Sequence, residues 1–210
     1  MNSFLKGCSK NFKDFFDWST HYLEKHNKKV VIVNAKCVRE DGNKYGGWCD
    51  GDEIVVARKM PKFEETYVHE FSHMNQAVEN SPLWDVGDKF WRQLQRKTLQ
   101  ISSWEEVIKI ISLERDCERR SLLHSKQWDL FDNESYAQNA NLYLYYYQFV
   151  FLKRQWMPSP TIYHPFLVNE MPKKLMPLSS FKSINMPLMM LFNECLDKKG
   201  KHYGKLVKKV

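Results

Sequence analysis

The sequence has no run of about 18 consecutive apolar residues, so no segment reads as a membrane-spanning helix. Its opening stretch, MNSFLKGCSKNFKDFF, lacks the apolar core of a secretory signal. The five cysteines, Cys8, Cys37, Cys49, Cys117 and Cys195, include no C-x-x-C pair. An odd number of thiols in a 210-residue chain argues against a disulfide scaffold. It points instead to reduced cysteines and a cytoplasmic setting, with a Cys37–Cys49 bridge between neighbouring strands as the alternative. Without paired thiols, a cysteine-built zinc site is not expected. Internal repeats, low-complexity stretches and nucleic-acid reading motifs are all missing.

What is there is the composition of a globular protein: 43% hydrophobic, 27% charged and 14% aromatic. This excludes a disordered chain or a coiled-coil rod and supplies material for a sizeable core. The net charge is +7, but Asp197–Val210 holds six lysines and one aspartate, so most of the excess sits in that segment. We read 1–196 as a single domain and 197–210 as a basic tail. The tail is expected to be a solvated end, with at most weak attraction to nucleic acid or an acidic partner.

The spacing of Phe12, Phe15, Phe16, Trp18, Tyr22 and Leu23 predicts an amphipathic helix within Phe4–His26. Lys29–Val38 and Trp48–Met60 carry β-branched runs and read as two strands, expected to pair antiparallel across the turn-rich Glu40–Gly47. A helix is predicted from about Lys62 to Asn80, stopped by Ser81-Pro82. Leu83–Gln100 reads as partly helical. Ser103 and Glu106 are placed like a capping box for a helix over Trp104–Lys126, and a further helix is predicted over Asn133–Gln155. Six of the eight prolines fall between Pro158 and Pro187, which predicts an irregular, apolar arm wrapped on the core.

The second of these helices contains His69-Glu70-Phe71-Ser72-His73, the pattern H-E-x-x-H. Helical residues four apart share a face, so both imidazoles can reach one metal ion. Glu70 between them falls where it can take a proton from a water that the metal activates. Zinc suits such a donor set, and a catalytic zinc site uses three protein ligands. The metzincin extension would need glycine at 76 and histidine at 79, but the chain has Gln76 and Glu79. The apolar stripe Val107, Ile110, Ile111 continues at helical spacing through Glu114 and Glu118 to Leu122. Two carboxylates in a core-facing stripe need a metal, a cation or a histidine partner. Asp116 and His124 are the other candidates for the third ligand, and Cys117 reads as small apolar packing.

H-E-x-x-H followed by a helix bearing Glu114 and Glu118 resembles the gluzincin zinc metallopeptidases. The helix motif Leu113-Glu114-Arg115-Asp116-Cys117-Glu118 is also similar to small phage and bacterial metallopeptidase-like proteins and, more distantly, to the ImmA/IrrE-type proteases. The resemblance covers about Gly51–Arg120. It implies that Glu114 is the third zinc ligand, that Glu118 orients a ligand histidine, and that the chemistry is hydrolysis of a peptide or protein substrate. It also implies that Asp52–Ala57 is an edge strand lining the cleft, and that a tyrosine, Tyr136 or one of Tyr143, Tyr145, Tyr146 and Tyr147, steadies the tetrahedral intermediate.

The expected fold is therefore α+β and zincin-like: a small antiparallel sheet, the motif helix, two further long helices and the proline-rich arm. The expected function is a zinc-dependent peptidase with no membrane partner. The alternatives are a zinc-binding regulatory or structural protein with little turnover, and a nucleic-acid-associated protein acting through its basic tail.

Overall fold

Ser9 opens the first long helix, α1 (Lys10–Lys25), its hydroxyl accepting the Phe12 backbone N–H at 3.1 Å. The computed structural model describes residues 3–40, 43–87, 103–153 and 165–197. Five strands follow: β1 (Lys29–Val33), β2 (Val38–Glu40), β3 (Asn43–Tyr45), β4 (Gly47–Cys49) and β5 (Glu53–Ala57). Then come α2 (Phe63–Val78), α3 (Trp104–Trp128), α4 (Asn133–Lys153), a short α5 (Pro165–Asn169) and α6 (Met186–Asp197). The basic tail from 198 onward and most of Leu83–Gln100 lie outside the described residues.

The fold is α+β, but the sheet is mixed rather than antiparallel. Its order is β1-β5-β4, with β1 parallel to β5 and β4 antiparallel to it. The antiparallel expectation fails because the turn-rich residues after β1 do not connect β1 to β5. They belong to a separate ladder in which β2 pairs with β3, Val38 opposite Tyr45. The reversal into β5 comes later, at Asp50-Gly51-Asp52. There the Asp50 carboxylate accepts the N–H groups of Asp52 and Glu53 at 2.9 and 2.8 Å, and Gly51 takes a φ of 91° that other residues avoid. An excursion of this length lets the chain re-enter the sheet in the original direction.

As the central strand, β5 is apolar on both faces. Ile54 and Val56 face α1 and α2, while Val55 and Ala57 pack with Val38. One core joins α1, the sheet and α2 through Phe12, Phe15, Phe71 and Tyr67. A second joins α3, α4 and the C-terminal arm through Ile111, Tyr146, Phe149 and Phe192. At the α2–α3 crossing between them, Ser121 donates to Ser72 at 3.0 Å, two small side chains that let the helices approach.

Within its described residues the arm is more regular than its prolines suggest. Pro165 and Pro187 stand in the first turns of α5 and α6, where the missing N–H costs nothing. Asn185 caps α6 by accepting the Leu188 N–H at 3.2 Å. Two fully buried amides on α4 hold the arm. Asn141 donates to the Pro172 and Lys174 carbonyls and accepts from Met176, and Gln148 donates to Phe181 and Ser183 and accepts from Asn185. Among the described residues no helix is long and apolar enough to cross a membrane.

Phe12 is fully buried and meets Phe63 and Tyr67 edge-on, with centroids 5.6 and 5.7 Å apart. Phe12→Ala is expected to lower the unfolding free energy by about 3–5 kcal/mol in urea titrations. A loss below about 1 kcal/mol would mean that this cluster is not tightly packed.

Candidate metal centre

Glu64 and Glu65 in the first turn of α2 suit its positive N-terminal end, and the helix carries His69, Glu70 and His73 against α3. The imidazole rings of His69 and His73 lie 4.7 Å apart and nearly perpendicular, at 85°. From α3, Glu114 and Glu118 reach the same crossing, 1% and 4% exposed. Glu114 Oε2 lies 3.4 Å from His73 Nε2 and 3.7 Å from His69 Nε2. That oxygen is buried and has no hydrogen-bond partner.

The far side of each imidazole is held. His69 Nδ1 lies 3.3 Å from Glu118 Oε1, and His73 Nδ1 lies 2.9 Å from Gln76 Oε1. Acceptor oxygens at both Nδ1 atoms keep a proton on that nitrogen and leave both Nε2 atoms turned toward Glu114 Oε2. The carboxylates are held in turn. Tyr136 donates to Glu118 Oε2 at 2.5 Å and Tyr147 to Glu114 Oε1 at 2.8 Å. Gln76 donates to Leu113 O and to Asp116 Oδ2, both at 3.0 Å. Asp116 is braced by Arg119 and Arg120, and Arg120 also pairs with Glu79 at 2.8 Å.

Cys117, expected to be packing alone, belongs to the cluster. Ligand atoms of His69, His73 and Cys117 all lie within 4.8 Å of one another, a buried set able to hold a metal ion. Its Sγ donates to the His69 carbonyl at 3.3 Å and lies 3.6 Å from His69 Nδ1.

Burial works against charge on both imidazoles. Cys117 with Glu118 at His69, and Cys117 with Glu114 at His73, outweigh it and raise both well above the ordinary imidazole value. Glu114 moves the other way: burial would raise its carboxyl, but His73, His69 and the Tyr147 hydroxyl bring it below the usual carboxylate range. Burial lifts Glu70 above its usual value against the pull of the two histidines. The phenols of Tyr136 and Tyr147 are raised well above theirs by burial and by the carboxylates they contact, so they stay protonated donors.

The strand over Glu70 is β4, not β5. The segment Asp52–Ala57, expected at the edge of the sheet, pairs on both sides because β1 takes up its second side. In β4, Gly47 closes on α2: a Cβ there would stand 3.1 Å from Glu70 Cγ and 2.9 Å from the Val55 carbonyl. Gly46 accepts from Ala57, and Asp50 donates to Glu53, so alternate residues bond inward. Gly47 and Cys49 therefore direct their backbone groups to the side of β4 where no strand pairs among the described residues. A cavity of about 320 Å³ lined by Cys8, Arg58, Phe63 and Phe131 lies at the N-terminal end of α2 and includes none of the site residues.

The crossing thus brings together His69, Glu70, His73, Glu114 and Glu118 and leaves out the other candidates for third ligand. Asp116 is engaged by its arginines. His124 faces Asn75, whose amide nitrogen is 3.2 Å from its Nε2, and packs on Phe15 and Phe71. Tyr136, a candidate for steadying an intermediate, spends its hydroxyl on Glu118. Sequence reasoning missed Gln76 as a site residue, and it offered Tyr147 only among the tyrosines for steadying an intermediate, not as the hydrogen-bond partner of Glu114. The available signal was spacing: Gln76 stands three residues after His73, and Tyr136, Tyr143 and Tyr147 recur on one face of α4. No protein-family model, curated protein or solved structure matches this chain.

His124 yields a pH test. Burial, then Arg120, lower its pKa to about 4 against the pull of Glu79, from an ordinary value of about 6.5. Between those values the unfolded chain binds more protons than the folded one, so stability falls as pH drops through this window. In His124→Leu, the fall in urea midpoint between about pH 7 and pH 4.5 is expected to be shallower than in the wild type. Parallel declines in the two proteins would count against a neutral, buried His124.

Proposed function

We propose that the protein is a zinc-dependent peptidase in which His69, His73 and Glu114 hold the metal, Glu70 is the general base and Glu118 orients His69. The observation that carries this reading is the pair of Nε2 atoms facing one orphaned carboxylate oxygen at 3.4 and 3.7 Å. The two imidazoles and the carboxylate converge on one buried point, where positive charge is required: either protons on the Nε2 atoms or a metal ion that displaces them. Ligand atoms about 2.0–2.1 Å from a tetrahedral zinc lie about 3.3–3.4 Å apart, which the His73 contact at 3.4 Å matches and the His69 contact at 3.7 Å slightly exceeds. Cys117 is the weaker third donor, because its thiol proton is engaged by the His69 carbonyl. The resemblance to the gluzincin pattern supports the same assignment.

Zinc bound here would polarise a substrate carbonyl and lower the pKa of water. Glu70 takes the proton of the attacking water, and its burial makes it a stronger base than an exposed carboxylate. It then holds that proton for the departing nitrogen. Glu118 keeps His69 in one tautomer, and Gln76 does the same for His73. Gly47 keeps Glu70 close to β4, whose outward backbone groups at Gly47 and Cys49 suit an extended peptide. Cys8, Cys37, Cys49 and Cys117 are free thiols, which supports a cytoplasmic setting. One observation favours a second reading, a zinc-binding protein without turnover: a Cys117 that lost its proton would fill the cluster with a further ligand.

Elemental analysis of untagged protein is expected to give about one zinc per chain. His69→Ala, His73→Ala and Glu114→Ala should lose it, and Glu118→Ala should weaken it by roughly 10–100-fold. Folded wild type indifferent to added zinc would sink the reading.

Glu70→Gln separates enzyme from binding protein. It should retain zinc while hydrolysis of a peptide found by library screening falls by at least about 10²-fold, with a chelator control. Undiminished hydrolysis would remove Glu70 from the mechanism. Zinc-loaded wild type that cleaves nothing would favour the non-catalytic reading.

A further inference from the structure

Tyr147 donates its one proton to Glu114 Oε1 at 2.8 Å, and its oxygen lies 2.9 Å from the Tyr143 hydroxyl. A carboxylate only accepts, so the proton of Tyr147 is committed to Glu114. The contact between the tyrosines must then run from Tyr143 as donor to Tyr147 as acceptor. The charge on Glu114 thus sets the direction of a two-step chain, Tyr143 to Tyr147 to Glu114. Tyr147 is 2% exposed, whereas Tyr143 is only partly buried, its ring 6.3 Å from that of His69.

The two oxygens of Glu114 are therefore unequal. Oε1 is occupied by a hydroxyl, and Oε2 is bare and faces both imidazoles. A carboxylate can bind a cation through one oxygen or through both, and here one is already engaged.

We propose that Tyr147 is a positioning residue whose hydroxyl, oriented by Tyr143, holds Glu114 as a one-oxygen metal ligand and so keeps free the coordination position that Oε1 would otherwise take. This rests on Glu114 being a zinc ligand. The consequence is specific: without the Tyr147 hydroxyl, Oε1 turns toward the metal and the coordination number rises.

The test compares Tyr147→Phe with wild type and with Tyr145→Phe, a control that loses a hydroxyl bonded to Ser180 O rather than to the site. Zinc affinity is read by chelator competition, and coordination number by the visible absorption of the cobalt(II)-substituted protein, intense when four-coordinate and weaker when five-coordinate. Tyr147→Phe is expected to bind zinc about 10–100-fold more weakly and to show a weakened cobalt band, with Tyr145→Phe like wild type. Wild-type affinity and spectrum in Tyr147→Phe overturn the proposal, and so does a loss of affinity with an unchanged spectrum. If Tyr147→Phe does not fold, Tyr143→Phe decides: about 2–10-fold weaker zinc binding with a shifted cobalt spectrum supports the chain, and no change overturns it. Wild type that binds no zinc defeats the zinc reading itself, whereas wild type that binds zinc beside an unaffected Tyr147→Phe defeats only the role of Tyr147.

Discussion

Two carboxylates buried where two helices cross are the constraint around which this structure is organised. A carboxylate removed from water costs several kcal/mol unless opposite charge and hydrogen-bond donors replace its hydration. Glu114 and Glu118 are both almost fully buried, and they are answered from two sides. The imidazoles of α2 stand in front and the tyrosine hydroxyls of α4 behind. No one of these helices could bury its polar stripe alone.

The two hydrophobic cores acquire a division of labour from that crossing. The core between α1, the sheet and α2 fixes the helix that bears the histidines and seats β4 above Glu70. The core between α3, α4 and the arm fixes the carboxylates and the hydroxyls that orient them. The site lies on the seam, so its geometry depends on how the two halves are packed against each other. Asp116 strengthens this seam. It receives Gln76 from α2 and is paired with Arg120, which also reaches Glu79 at the end of α2, tying the helices together one turn beyond the histidines.

Much of this was legible in residue spacing because helices report themselves through period. The i, i+4 histidines and the continuation of Val107, Ile110 and Ile111 into Glu114 and Glu118 each encode one face of one helix. The sheet was read less well. Strand pairing is a contact between distant segments, and the parallel match of β1 to β5 has no local signature, whereas the Asp50-Gly51 reversal does. Gln76, and the pairing of Tyr147 with Glu114, escaped for a different reason. A glutamine or a tyrosine has many uses on a helix, and only the facing partner, His73 or Glu114, reveals which one applies. The prolines were over-read: at Pro165 and Pro187 they begin helices instead of preventing them.

The attachment of the C-terminal arm has a consequence for how the sequence is free to drift. Asn141 and Gln148 grip the arm almost entirely through its main-chain carbonyls and amides, which every residue except proline's missing N–H provides alike. The polar part of the docking is therefore written in α4, in two amides seven residues apart, while the arm segments they hold add apolar side chains such as the fully buried Phe181. Over evolutionary time the exposed positions of those segments can change residue by residue while remaining in place, whereas a single exchange at Asn141 or Gln148 would strand several backbone groups at once.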